Sequence, residues 1–241
     1  MQDNNSEVQE TKPKKEKKQP SIFFKVNKKG QHISGCMNFL RICILPFVRL
    51  VYPFRFYGNK KVADGACLYV SNHYRMIDPM YPIATTWEGI HFIAKEESYD
   101  LPILGAFCKG VKIIPVKRDG SAADIRAMMN ALKALKRGEK VGIYPEGTRN
   151  KTNEPFLPFQ SGAAMLAIRA QVPIVPIVMY EKCRPFKTTH ILIGDPFEFS
   201  EYYGQKMTDE LLAEADEKLR NRMIEMREAH TKMLAEKKKG K

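Results

Sequence analysis

The chain has 241 residues, 44% hydrophobic and 28% charged, which suits one well-buried α/β domain with short appendages and excludes a polytopic membrane protein. Forty Lys plus Arg against 27 Asp plus Glu give a formal net charge of +13, which favours an anionic partner: nucleic acid, acidic lipid or a phosphorylated substrate. The five cysteines, Cys36, Cys43, Cys67, Cys108 and Cys183, lack CxxC spacing, so neither a zinc site nor a disulfide framework is expected and a reducing compartment fits.

Residues 1–20 are polar and lysine-rich, a composition that buries too little surface to offset its ordering entropy, and are expected to form a disordered basic tail. No apolar core follows them at once, so the layout is not that of a secretory signal peptide, and the catalytic part is expected on the cytoplasmic face of the cell membrane. Residues 21–57 are expected to be a membrane-associating helical segment. Its apolar run from Ile42 to Val48 is far shorter than the roughly 20 residues of a spanning helix. On a helical wheel Arg41, Arg49 and Arg55 oppose Phe39, Cys43, Phe47, Leu50 and Phe54, an interfacial pattern bent at Pro46 and Pro53. A pair of helices packed on the protein's own core would show the same stripe.

From residue 58 to 235 short apolar runs alternate with helical stretches, the signal of βαβ units in one α/β domain with a mostly parallel or mixed sheet flanked by helices. Strands are expected near residues 66–70, 91–94, 112–116, 141–144, 173–178 and 190–193. The clearest helix starts at Ser121 as N-cap with Asp124 three residues on, carries Ile125, Met128, Met129, Leu132 and Leu135 as its apolar stripe, and stops at Gly138. A long charged helix from Thr208 to Met233 closes the domain, and residues 236–241 form a basic tail.

Two segments carry chemistry. Residues 72–79 read Asn-His-Tyr-Arg-Met-Ile-Asp-Pro directly after a strand. A histidine can take a proton near neutral pH, and a carboxylate can hold its other ring nitrogen. A continuous helix would set His73 and Asp78 roughly 140° apart, so they meet only across a turn, which Asp78 as N-cap and Pro79 at the first helical position would supply. An ordinary N-cap aspartate beside a surface histidine would read the same way. Residues 144–149 read Tyr-Pro-Glu-Gly-Thr-Arg, where glycine permits close backbone approach, threonine adds a hydroxyl and arginine presents a planar fork to phosphate oxygens. A polar turn explains that segment alone, yet Pro-Glu-Gly-Thr-Arg arises by chance only about once in 10⁴ such chains, and here it accompanies the first motif.

Together, His73-x4-Asp78, Gly110 to Arg118, Pro145 to Arg149 and the Val172 to Ile177 run resemble the glycerolipid acyltransferase family over about residues 57–200. The resemblance implies that His73 is the catalytic base and Asp78 its orienting partner, and that Arg118, Glu146, Gly147, Thr148 and Arg149 bind the acceptor. It implies acyl transfer from acyl-CoA or acyl-carrier protein to the sn-2 hydroxyl of 1-acylglycerol 3-phosphate, giving phosphatidic acid, with no cofactor and no metal. The partners implied are lysophosphatidic acid, an acyl thioester with acyl-carrier protein as one candidate donor, and an anionic membrane surface. Nucleic acid is not among them, since no zinc pattern or aromatic RNA-binding signature is present. The same chemistry on glycerol 3-phosphate, another lysophospholipid or a lyso-aminolipid is the alternative. The chain departs from the family at Tyr74 and Arg75, where small polar residues are usual, at Tyr144 in place of phenylalanine, and at Asn150 in place of serine.

Overall fold

The computed structural model describes residues 24–59, 64–100, 102–160 and 162–239. The expected tail 1–20 lies outside them. A short hairpin, β1 (Lys25–Val26) and β2 (His32–Ile33), leads into α1 (Gly35–Phe39), a π-helical turn (Leu40–Ile44) and α2 (Leu45–Val51). There follow β3 (Phe54–Gly58), β4 (Leu68–Ser71), α3 (Met80–Ile83), β5 (Ile90–Lys95), α4 (Pro102–Gly110), β6 (Ile114–Val116), α5 (Ala122–Lys136), β7 (Lys140–Ile143), α6 (Ala163–Ala170), β8 (Ile174–Met179), β9 (Thr189–Ile193) and α7 (Asp209–Lys239).

The main sheet has the order β3-β9-β8-β4-β7-β5-β6. β8, β4, β7, β5 and β6 are mutually parallel, whereas β9 pairs antiparallel with β8 and β3 runs parallel to β9. Both faces are covered, so the central strands read as continuous apolar runs whose alternate residues enter different cores. Leu68 and Val70 of β4, with Ile174 and Val178 of β8, face α5, α6 and α7. Cys67, Tyr69, Val175 and Ile177 face the layer that holds Met37, Leu40, Tyr81 and Ile83.

All six expected strands are present; the hairpin strands β1 and β2 are additions, and so, in the main sheet, is β3. It corrects the reading of residues 21–57 as helical throughout: Phe54 is buried, and β3 completes the sheet edge against β9. The arginine sector loses one member for a related reason, while Arg49 and Arg55 stay exposed. Arg41 is buried, with Nε donating to the Ile83 carbonyl (2.8 Å), Nη1 to Asn38 Oδ1 (2.8 Å) and the Trp87 carbonyl (3.1 Å), and Nη2 to the Glu88 carbonyl (2.6 Å). Burial lowers its pKa to about 10, so it stays charged as the tie between the helical segment and the domain. Pro46 does not break this segment, because it lies in the first turn of α2, where its missing N–H is tolerated.

α5 begins at Ser121, whose hydroxyl accepts from Ala123 N–H, and Gly138 takes the expected positive φ after its end. Its buried face differs from the expected stripe. Ala127, Ala131, Ala134 and Leu135 pack on the sheet, while Ile125 and Met129 are exposed. Small side chains let the helix backbone approach the strands more closely than the larger residues would. α7 runs past Met233 to Lys239, so the expected basic tail begins as helix.

Candidate active site

The candidate residues follow the carboxyl ends of parallel strands, the edge at which open α/β sheets place ligands. β4 leads to His73, β6 to Arg118, and β7, the neighbour of β4, to the 146–149 turn. Asn72 fixes the end of β4 against β8: its amide donates to the Met179 carbonyl (2.9 Å) and accepts from Met179 N–H (2.8 Å).

His73 Nδ1 lies 2.8 Å from Asp78 Oδ2. The carboxylate accepts, so Nδ1 carries the proton and neutral His73 keeps a lone pair on Nε2, which no described residue engages. The same Oδ2 accepts from Tyr74 N–H (2.6 Å) and Arg75 N–H (2.7 Å), and Asp78 N–H returns to the Arg75 carbonyl (3.1 Å). Asp78 is 1% exposed, and its Oδ1 is buried with no hydrogen-bond partner. This differs from the expected N-cap: Pro79 occupies the cap position of α3, and the Asp78 side chain reaches back to the histidine loop. The turn over residues 75–78 brings base and carboxylate together, as the spacing required.

Tyr144 stacks on the His73 ring, with centroids 4.1 Å apart and planes 21° off parallel, and so restricts the imidazole's rotation. Glu146 lies beneath. Its Oε1 accepts from His73 N–H at 3.4 Å, while Oε2 is buried and unpartnered. Asn150 N–H donates to the His73 carbonyl at 2.6 Å, so the loop after β7 grips the histidine backbone from both sides.

Burial pushes the Glu146 carboxyl up from 4.5 to about 7, against the backbone N–H groups of His73 and Leu157, which lower it. A carboxyl whose pKa is raised on folding stabilises the folded state at low pH and loses that contribution as pH rises through the folded value. Relative to Glu146→Gln, the wild type is therefore expected to lose up to about 3 kcal/mol between pH 4.5 and 8. Denaturant unfolding of both proteins across that range checks it; parallel stability curves would contradict it.

Arg118 stands in the left-handed region at φ +66°, a conformation costly for a residue with a side chain. Asp124 holds it there, accepting from the N–H groups of Lys117 (2.8 Å), Arg118, Asp119 and Gly120 (each 2.9 Å). Asp124 thus organises the loop before α5 instead of completing a capping box with Ser121. The Arg118 guanidinium donates to the carbonyl of Gly147, whose own φ of +66° explains glycine there. Thr148 and Arg149 are exposed, and their side chains find no hydrogen bond or ion pair among the described residues. Nor is any group of three His, Cys, Asp or Glu among them placed to hold a metal ion.

A family model described as Acyltransferase matches residues 53–180, more than half of the chain. The chain belongs to the acyltransferase family. It is 32% identical over 124 residues to the 1-acyl-sn-glycerol-3-phosphate acyltransferase of Helicobacter pylori, covering 52% of this chain and 52% of that protein. It is 40% identical over 161 residues to 1-acyl-sn-glycerol-3-phosphate acyltransferase alpha of Homo sapiens, covering 63% and 54%. The chain spans about half the length of these curated relatives. The crystal structure of the 1-acyl-sn-glycerophosphate (LPA) acyltransferase PlsC from Thermotoga maritima aligns with a TM-score of 0.58 at 20% identity, over 80% of this chain and 78% of that one, which shows a shared fold.

Sequence reasoning about this acyltransferase passed over three supports: Asn72 as the β4–β8 clasp, Asn150 as a donor to the His73 carbonyl, and Asp124 as the brace of the Arg118 loop. The first two lie within or beside the motifs. Asp124 left only an ambiguous signal, because an acid three residues after a serine also reads as an ordinary cap.

Proposed function

We propose that the chain transfers an acyl group from a thioester, acyl-CoA or acyl-carrier protein, to the sn-2 hydroxyl of 1-acylglycerol 3-phosphate, giving phosphatidic acid. The observation that carries this reading is the His73 Nδ1–Asp78 contact of 2.8 Å, which leaves Nε2 free to accept a proton. Nε2 takes the acceptor hydroxyl's proton as the oxygen bonds to the thioester carbonyl carbon. The tetrahedral intermediate collapses with cleavage of the C–S bond, and the departing sulfur takes the proton from His73. Asp78 stabilises the imidazolium between the two steps. No protein nucleophile or cofactor enters the sequence. Arg149 and Thr148 contact the acceptor phosphate, Arg118 and Gly147 shape that pocket, and Glu146 holds the His73 backbone.

The acceptor reaches the site from a membrane. Phe39, Ile42, Phe47 and Leu50 are 58, 64, 69 and 72% exposed, a stripe along α1, the π-helical turn and α2. No described helix is long and apolar enough to cross a membrane, and a stripe of this kind lies in the interface plane of the cytoplasmic leaflet, supported by the chain's positive charge. Removal of residues 1–57 would also remove β3 and buried Met37, so point substitutions are the sounder probe. Phe47→Asp with Leu50→Asp is expected to abolish sedimentation with anionic vesicles while the melting temperature holds, since neither side chain is buried. Undiminished sedimentation would contradict docking through this face.

The activity itself is tested by offering purified protein an acyl thioester and a panel of acceptors, with product masses read. The 1-acylglycerol 3-phosphate should be acylated well above glycerol 3-phosphate and neutral monoacylglycerol. A preference for either of the others overturns the acceptor named here.

A further inference from the structure

Arg75 has no role in the chemistry described so far, yet its position is tightly specified. Two residues beyond His73, it gives its N–H to Asp78 Oδ2 at 2.7 Å and its carbonyl receives Asp78 N–H at 3.1 Å, so the turn that holds the base also fixes the root of this side chain. The side chain itself is exposed and makes no hydrogen bond or ion pair among the described residues. The nearest carboxylate in sequence, Asp78, already accepts three hydrogen bonds on Oδ2, and its other oxygen is buried.

Exposed apolar side chains neighbour Arg75. Met76 beside it is 67% exposed. Burial pushes the Cys183 thiol up, in the connection between β8 and β9, and the Arg75 charge nearby opposes that rise. That connection also carries exposed Phe186, whose N–H donates to the Val51 carbonyl at the end of α2 at 2.6 Å. One loop therefore joins the exposed apolar helix to the edge of the histidine turn. Across His73, the loop after β7 presents Arg149, placed by the adjacent Asn150 N–H bond to the His73 carbonyl.

We propose that Arg75 is a specificity-determining residue that grips the acceptor's phosphate monoester from the α3 side of His73, as Arg149 does from the β7 side. The proposal rests on the reading of the site as a phosphate-acceptor acyltransferase. A phosphate monoester carries close to two negative charges and three acceptor oxygens at neutral pH, which two planar guanidinium forks can share. With the phosphate held between them, the neighbouring sn-2 hydroxyl is directed at Nε2, and an acceptor without that charge binds less well.

The test compares wild type with Arg75→Gln and Arg75→Lys, using a short-chain, water-soluble 1-acylglycerol 3-phosphate as acceptor, and measures KM for acceptor and thioester separately. Arg75→Gln is expected to raise the acceptor KM by about ten- to a hundredfold with the thioester KM unmoved, and Arg75→Lys to fall between. Vesicle sedimentation of the same variants separates the two sources of phosphate. If Arg75→Gln weakens sedimentation but leaves the soluble acceptor's KM unchanged, Arg75 binds bilayer headgroups and the proposal is overturned. Equal changes in both KM values, or none, overturn it too. If the wild type itself fails to use the phosphate acceptor, the functional reading falls and takes the Arg75 assignment with it; if only the variants behave like wild type, the assignment alone falls.

Discussion

His73→Ala is expected to lower the rate of acyl transfer by about 10²–10⁴, the usual contribution of a positioned general base, with the melting temperature nearly unchanged. The side chain is 17% exposed and lies on a loop whose backbone is held independently by Glu146, Asn150 and Asp78. Its removal costs only the stack on Tyr144 and one hydrogen bond. Initial rates at saturating acceptor, with circular dichroism on the same samples, check both halves. Retained activity above about one per cent of wild type, on folded protein, would show that the hydroxyl is activated by another group.

Asp78→Asn is expected to damage activity and stability together, and that contrast with His73→Ala separates the two roles. An amide oxygen could still receive His73 Nδ1–H and the N–H groups of Tyr74 and Arg75, but without the charge that stabilises an imidazolium. The corresponding change in a serine-protease triad costs about 10⁴ in turnover, and a loss of about 10²–10⁴ is expected here. The amide nitrogen would fall where Oδ1 is now buried without a partner, leaving two N–H donors unsatisfied at a cost of about 1–3 kcal/mol. Turnover and denaturant unfolding measured in parallel test this. A variant with wild-type turnover would remove Asp78 from the mechanism, and one with lost turnover but wild-type stability would mean that the buried amide nitrogen finds a partner where Oδ1 has none.

What was legible in the sequence follows a physical line. Central strands such as β4 and β8 are buried on both faces, so their continuous apolar runs stand out from any background. The His73–Asp78 pair was legible because five residues and a proline force a turn, and a turn permits contact. Edge strand β3 was hidden, since Phe54 to Gly58 continue an aromatic and basic stretch that scans as amphipathic helix, and only pairing with β9, more than 130 residues away, decides the matter. Arg41 was misplaced on the wheel because a wheel carries no information about carbonyls donated by another segment, here Ile83, Trp87 and Glu88. The face of α5 went astray for a similar reason: alanine counts little in hydrophobic patterning, yet a small residue is what a helix needs to lie close on a sheet. Glu146 could be named from its motif. Its burial and raised pKa could not, because they depend on the depth at which the turn after β7 sits.

Acyl transfer by this chain is expected to require a phosphate-bearing lysolipid acceptor. The most direct measurement follows thiol release from an acyl thioester together with the lipid product, by wild-type protein with and without 1-acylglycerol 3-phosphate. One phosphatidic acid formed for each thiol released, and negligible thiol release when the acceptor is omitted, is the expected result. Thiol release with free fatty acid as the product, independent of acceptor, would contradict it and make His73 and Asp78 the centre of a thioesterase.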